Sequence, residues 1–163
     1  MKKRLAVLCG VYYPEPSPTG LCAKKFVDLL KEDFDIDILC ISGNGTAETV
    51  CPEDGVVIHT LTCRRLTNEM RTAGLEKKIL HLIGAAQIKL RLLGNLSWLR
   101  KAYNDKLCEL KADRPLDAVF SICSPFAAHI AANDYKAAHP AVHWCAYTVD
   151  PYATKNRIRP IGV

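Results

Sequence analysis

Residues 4–11, Arg-Leu-Ala-Val-Leu-Cys-Gly-Val, run into Tyr12-Tyr13-Pro14-Glu15-Pro16-Ser17-Pro18-Thr19-Gly20, and a helical pattern follows over 20–32. The first run is short, apolar and without alternation, which predicts a strand buried on both faces. Over 20–32, Cys22, Ala23, Phe26, Val27, Leu29 and Leu30 fall on one broad side and Lys24, Lys25, Asp28 and Lys31 on the other. That spacing predicts an amphipathic helix. Residues 36–42, Ile-Asp-Ile-Leu-Cys-Ile-Ser, read as a second strand. A strand, a helix and a strand with so short a crossover form a β-α-β unit, which implies a parallel sheet.

Working outward, 43–55 is a polar, glycine-containing connection and Val56–Leu61 a third strand. Apolar positions 75, 79, 82, 83, 86, 90 and 93 keep helical spacing from about Gly74 to Leu93. Gly94-Asn95 breaks the pattern, and a second helix is expected from Leu96 to Leu110. Asp117–Cys123 reads as a fourth strand, Pro125–Ala138 as a helix with proline where a first turn tolerates it, and Val142–Val149 as a fifth strand. The order β-α-β-β-α-α-β-α-β predicts an α/β, Rossmann-like, doubly wound and mostly parallel sheet with helices on both faces. The 163 residues suit one domain. They stop a few residues past the fifth strand without a closing helix, so the chain is expected to be the first part of a longer protein.

Bulk properties exclude several classes. About half the residues are apolar and 24% are charged, an ordinary globular profile. The basic start, Met1-Lys2-Lys3-Arg4, is followed by too short an apolar run for a signal peptide, and no apolar stretch spans a membrane. A cytoplasmic chain is expected. The eight cysteines contain no C-x-x-C pair and no zinc spacing. Cys9, Cys40, Cys123 and Cys145 lie in apolar runs and read as buried, reduced thiols. His59 and His143 sit within strands, His81, His129 and His139 within helices, and no pair has metal spacing, so no metal is expected. The net charge of +5 is regional, with 11 Lys/Arg and 4 Asp/Glu in residues 64–111. Lys77, Lys78, Lys89, Arg91, Arg100 and Lys101 interleave there with Trp98 and Tyr103. Such a stretch is either a solvated outer face or, over 75–103, a contact with an anionic membrane surface. No nucleic-acid-binding motif accompanies the charge.

Three places carry candidate chemistry. In a parallel sheet, ligands bind beyond the carboxyl ends of the strands. Thr19-Gly20 lies in the loop after the first strand, where a helix N-terminus favours anions and a glycine lets a phosphate approach the backbone. A turn glycine explains Gly20 equally well. The loop is neither G-x-G-x-x-G nor a Walker loop, so no dinucleotide cofactor is expected. Ser124-Pro125 puts a hydroxyl after the fourth strand, where it also suits a helix N-cap. Asp150-Pro151-Tyr152 puts a carboxylate and an aromatic hydroxyl after the fifth, suited to sugar hydroxyls or to a base, or simply to a turn.

With these pieces in order, residues 4–155 resemble the N-terminal domain of glycosyltransferase family 4, also called group 1. The resemblance rests on Leu5–Tyr13, Pro14-Glu15, Gly20 and the helix ending at Leu29-Leu30; on Asp35-Ile36-Asp37-Ile38-Leu39; and on Ser124-Pro125 with Ala128, Ala131 and Ala132, the fifth strand and Asp150-Pro151-Tyr152. The last group is similar to members that build surface polysaccharides on lipid carriers. The resemblance implies a GT-B arrangement of two facing Rossmann-like domains and a retaining transfer from a nucleotide sugar without a bound metal. It implies that this domain binds a saccharide or lipid-linked acceptor and that Gly20 approaches the donor diphosphate. Nucleotide binding and a Glu-x7-Glu motif would belong to a second domain, so these residues alone are expected to be inactive. On this reading Asp150 is the candidate catalytic residue, with Thr19, Gly20, Ser124 and Tyr152 binding substrate. Many relatives have Gly-Gly where this chain has Thr19-Gly20, and some carry a catalytic histidine near these strand ends, where no histidine of this sequence is expected. Half of a sugar-nucleotide epimerase and a non-catalytic α/β binding module remain alternatives.

Overall fold

A computed structural model describes residues 2–14, 17–41, 48–61, 98–123 and 125–148. The expected α/β, Rossmann-like architecture is present. The elements are β1 (Lys3–Leu8), α1 (Pro18–Leu30), β2 (Phe34–Ile41), β3 (Glu48–Glu53), β4 (Val56–Leu61), α2 (98–113), β5 (Ala118–Ile122), α3 (Ala127–Ala138) and β6 (His143–Tyr147). The sheet order is β3-β4-β2-β1-β5-β6. Every pairing is parallel except β3 with β4. From β1 the chain moves outward through β2 to β4, then returns to lay β5 on β1's other side. The strand order therefore reverses between β1 and β5, and the crevice beyond their carboxyl ends is where such sheets bind ligands.

The polar connection over 43–55 contains a strand that the sequence reading lacks. All six β3 side chains are exposed and Pro52 interrupts the run, so no apolar pattern marks it. It forms because Asp54-Gly55 turns the chain back on β4, with Gly55 at a φ of 77° that favours glycine. Edge position is where proline is tolerated in a sheet. The expected helix over 74–93 lies outside the described residues.

Alternation splits the core into two layers. On the front, Leu5, Val7, Ile36, Ile38, Phe120 and Ile122 pack under Ala23 and Val27 of α1. On the back, Ala6, Leu8, Leu39 and Val119 pack under α2 and α3. β1 feeds both layers, and Leu5 through Leu8 are all buried, which accounts for its unbroken apolar run. Ala127, Ala128, Ala131 and Ala132 give α3 a small-residue face that rests close to the sheet. Leu29, counted on the apolar side of α1, instead points to solvent and is 74% exposed. Cys9, Cys40 and Cys123 are buried as expected, whereas Cys145 is exposed, on a strand whose one neighbour among the described residues is β5.

At the amino end of β1 the fold buries an ion-pair cluster. Arg4 Nε donates to Asp37 Oδ2 at 2.7 Å, and His59 Nε2 bonds the other carboxylate oxygen at 2.8 Å. Arg4 Nη1 donates to the carbonyls of Leu110 and Arg114 at 2.9 and 2.8 Å, capping the end of α2. Burial raises the Asp37 pKa, but the hydrogen bonds from His59 and Arg4 outweigh it and hold the carboxyl below its ordinary range.

Candidate functional site at the carboxyl edge

The β1–α1 loop turns at the sheet's carboxyl edge. Tyr103 of α2 donates its hydroxyl proton to the Cys9 carbonyl at 2.7 Å and so anchors the end of β1. Ser17 is the N-cap of α1: it has extended backbone geometry, and its Oγ accepts the Gly20 N–H at 3.4 Å. Thr19 Oγ1 lies 2.9 Å from the same oxygen. A Cβ on Gly20 would lie 2.8 Å from the Val11 carbonyl oxygen. The close backbone approach at Gly20 is therefore to the chain's own loop. Packing of the first helical turn against Val11 is sufficient to require glycine here.

Ser124, Asp150 and Tyr152 lie outside the described residues. The flanking residues Cys123 and Thr148 are described, and between them stands a group the sequence reading placed only on a helix. His129, in the first turn of α3, points its Nδ1 at Ser121 Oγ at 2.7 Å and its Nε2 at Thr148 Oγ1 at 3.3 Å. Trp144 Nε1 donates to the same Ser121 oxygen at 2.9 Å. The ring thus bridges β5 to the residue that follows β6. The sequence reading expected no histidine at either strand end, and the fold corrects it. The signal was present in outline: Ser121 shares the back face with Val119, and His129 lies on the same helical stripe as Ala132.

Burial lowers the His129 pKa, so the imidazole is neutral near pH 7. In the tautomer with the proton on Nδ1, Ser121 Oγ accepts from both Trp144 Nε1 and His129 Nδ1, and Nε2 keeps its lone pair. A neutral ring held this way is suited to accept a proton or to bond a substrate hydroxyl at the edge. The Phe126 ring stands edge-on to it with centroids 5.9 Å apart. Tyr13 in the β1–α1 loop, Leu21 in the first turn of α1 and Phe126 at the N-cap of α3 are exposed on this edge.

Other clefts lined by described residues lie away from this edge. One of about 330 Å³ separates β3 and β4 from α2 and is lined by His59, Asp105, Lys106 and Glu109 among others. His59 is held by the buried Asp37 carboxylate through Nε2 and lies 3.4 Å from Thr49 Oγ1 through Nδ1, so it belongs to the ion-pair cluster of the amino end. Among the described residues there is no cluster of three His, Cys, Asp or Glu able to hold a metal, and no helix long and apolar enough to cross a membrane.

No family model, curated protein or solved structure matches this chain.

Proposed function

We propose that the chain is the acceptor-binding, Rossmann-like half of a retaining glycosyltransferase of GT-B architecture. It would act on a nucleotide-sugar donor, held mostly by a second domain, and a lipid-linked saccharide acceptor of surface polysaccharide synthesis. The observation that carries this reading is the convergence of the β1–α1 loop and the neutral His129–Ser121–Thr148 chain on the switch-point edge of the sheet. His129 supplies a hydrogen-bond acceptor for a sugar hydroxyl. Asp150, two residues beyond Thr148 in the chain, is the candidate carboxylate, and Thr19, Gly20, Ser124 and Tyr152 are the remaining candidate contacts. The exposed apolar side chains on that edge suit an acceptor with a lipid part. The protein would work at the cytoplasmic face of the membrane, with residues 75–103 as the candidate contact to anionic lipid.

The test uses the full gene product with labelled UDP-, GDP- and TDP-sugars and a lipid extract of the source cells. Transfer of label into the lipid fraction is expected. His129→Gln should lower the rate by about 10²–10⁴-fold, the range for loss of a positioned acid–base group. A product that consumes none of these donors overturns the reading. A His129→Gln variant with an undiminished rate removes His129 from it.

A further inference from the structure

We infer that Thr49, with His59 and Asp37 behind it, is a nucleophilic site that takes a short acyl group from an ester. The residues stand in one row across four adjacent strands: Arg4 on β1, Asp37 on β2, His59 on β4 and Thr49 on β3. Strand pairing puts them on one face of the sheet. Thr49 is the antiparallel partner of His59, and Asp37 is the parallel partner of Val57, two residues before His59. The row starts buried and ends at the surface: Asp37 and His59 are 5% and 7% exposed, whereas Thr49 is exposed along with the rest of β3.

Donor and acceptor capacities fix the direction of the row. The Asp37 carboxylate is ion-paired with Arg4 through Oδ2 at 2.7 Å, so it can only accept. His59 Nε2, 2.8 Å from Oδ1, therefore carries the ring proton. In the neutral ring the lone pair is then on Nδ1, which lies 3.4 Å from Thr49 Oγ1, and the hydroxyl is the donor. A hydroxyl, a base, and a third group that orients the base make the arrangement that activates a nucleophile, and the hydroxyl–base bond is often loose before substrate binds. Arg4 and Asp37 use their own capacity inside the fold, and what they hold still is the imidazole.

The outer end of the row opens on the cleft of about 330 Å³ against α2, which Thr49 and His59 both line. Leu61 and Ala102 give this cleft an apolar patch for a short acyl chain. Lys106, paired with Glu109 at 2.7 Å, gives it a cation for the carbonyl oxygen. Thr49 Oγ attacks the ester carbonyl carbon, and its proton passes to His59 Nδ1. As the tetrahedral intermediate collapses, the bond to the leaving alcohol breaks and that oxygen takes the proton from Nδ1. The products are O-acyl-Thr49 and the free alcohol. Water then repeats the two transfers, releasing the carboxylic acid and restoring Thr49. None of the carboxyl-edge groups takes part, so this activity stands or falls apart from the transferase reading.

The experiment treats the full gene product with p-nitrophenyl acetate, folded and in urea, quenches with acid, and maps acetyl groups by peptide mass spectrometry. Thr49 should be acetylated about 10²–10⁴-fold faster in the folded chain than in urea, the range for a positioned general base. His59→Gln should remove most of that advantage and Thr49→Ser should keep it, with circular dichroism to check folding. Acetylation of Thr49 no faster in the folded chain than in urea overturns the inference, and that comparison needs no variant. An undiminished rate in folded His59→Gln also overturns it, since Thr49 would then react without its base.

Discussion

The two ends of the same sheet put polar groups to different uses. At the amino end, Arg4 is met by Asp37, by Asp113 and by two carbonyls at the end of α2, and Asp37 is met in turn by His59. Arg114 reaches across to Asp35 at 2.7 Å. These groups hold β1, β2, β4 and α2 in register, and their hydrogen-bonding capacity is used inside the fold. At the carboxyl end, the ring of His129 is held by Ser121 while its other nitrogen reaches only Thr148, at 3.3 Å, beside exposed Phe126. The contrast teaches where to look for function. Charges paired inside the fold stabilise it, whereas a neutral titratable group oriented at the carboxyl edge lies where such sheets bind ligands.

The largest effect should come from breaking the saturated end. Arg4→Met leaves the Asp37 carboxylate buried without its main counter-charge, and removing one partner of a buried pair costs about 3–5 kcal/mol. Urea unfolding should show a lower midpoint at an unchanged slope. A loss below about 1 kcal/mol would place the pair in the class of solvent-screened surface contacts, and the comparison would fail.

Gly20→Ala is expected to be smaller and sharpens the other end. Its Cβ would lie 2.8 Å from a backbone oxygen, which cannot swing away as a flexible side chain would. Overpacking of this kind costs about 1–3 kcal/mol. Unchanged stability in the same urea experiment would mean that the loop relaxes freely, and the glycine would then need a ligand to explain it.

How much of this was legible in the sequence depends on how local each cause is. β1, α1 and β2 were readable because buried parallel strands are apolar throughout and α1 carries its own period. β3 was not, because its side chains face solvent and its strand geometry comes from pairing with β4. Gly20 was readable as a special position, but its reason, the Val11 carbonyl, lies nine residues back around a loop. His129 became a site group only through partners on β5, on β6 and just beyond it. Nothing in an apolar helical stripe announces that Ser121 and Trp144 will meet there. The same holds for Arg4 and Asp37, which are 33 residues apart and adjacent only once β1 lies beside β2.

Acid separates the two ends by a smaller but more diagnostic effect. Burial pushes the His129 pKa below its ordinary 6.5. As pH falls through 6.5, the unfolded chain takes up a proton at this imidazole and the folded chain resists. The contribution is thus present above 6.5 and declines from there toward the lower folded value. Asp37 behaves in a lower window. Burial raises its pKa, the bonds from His59 and Arg4 more than reverse that, and the folded value lies below the ordinary 3.8. Its stabilisation is present above 3.8 and is lost as pH drops further through the folded value. Unfolding midpoints measured from neutral pH downward should therefore show the carboxyl edge weakening first. The profile of His129→Gln should lack the upper step and keep the lower one, and that of Asp37→Asn should do the reverse. If His129→Gln leaves the upper step intact, the imidazole is as accessible to protons in the folded chain as in the unfolded one. The group at the carboxyl edge would then lack the buried, neutral character on which its proposed role depends.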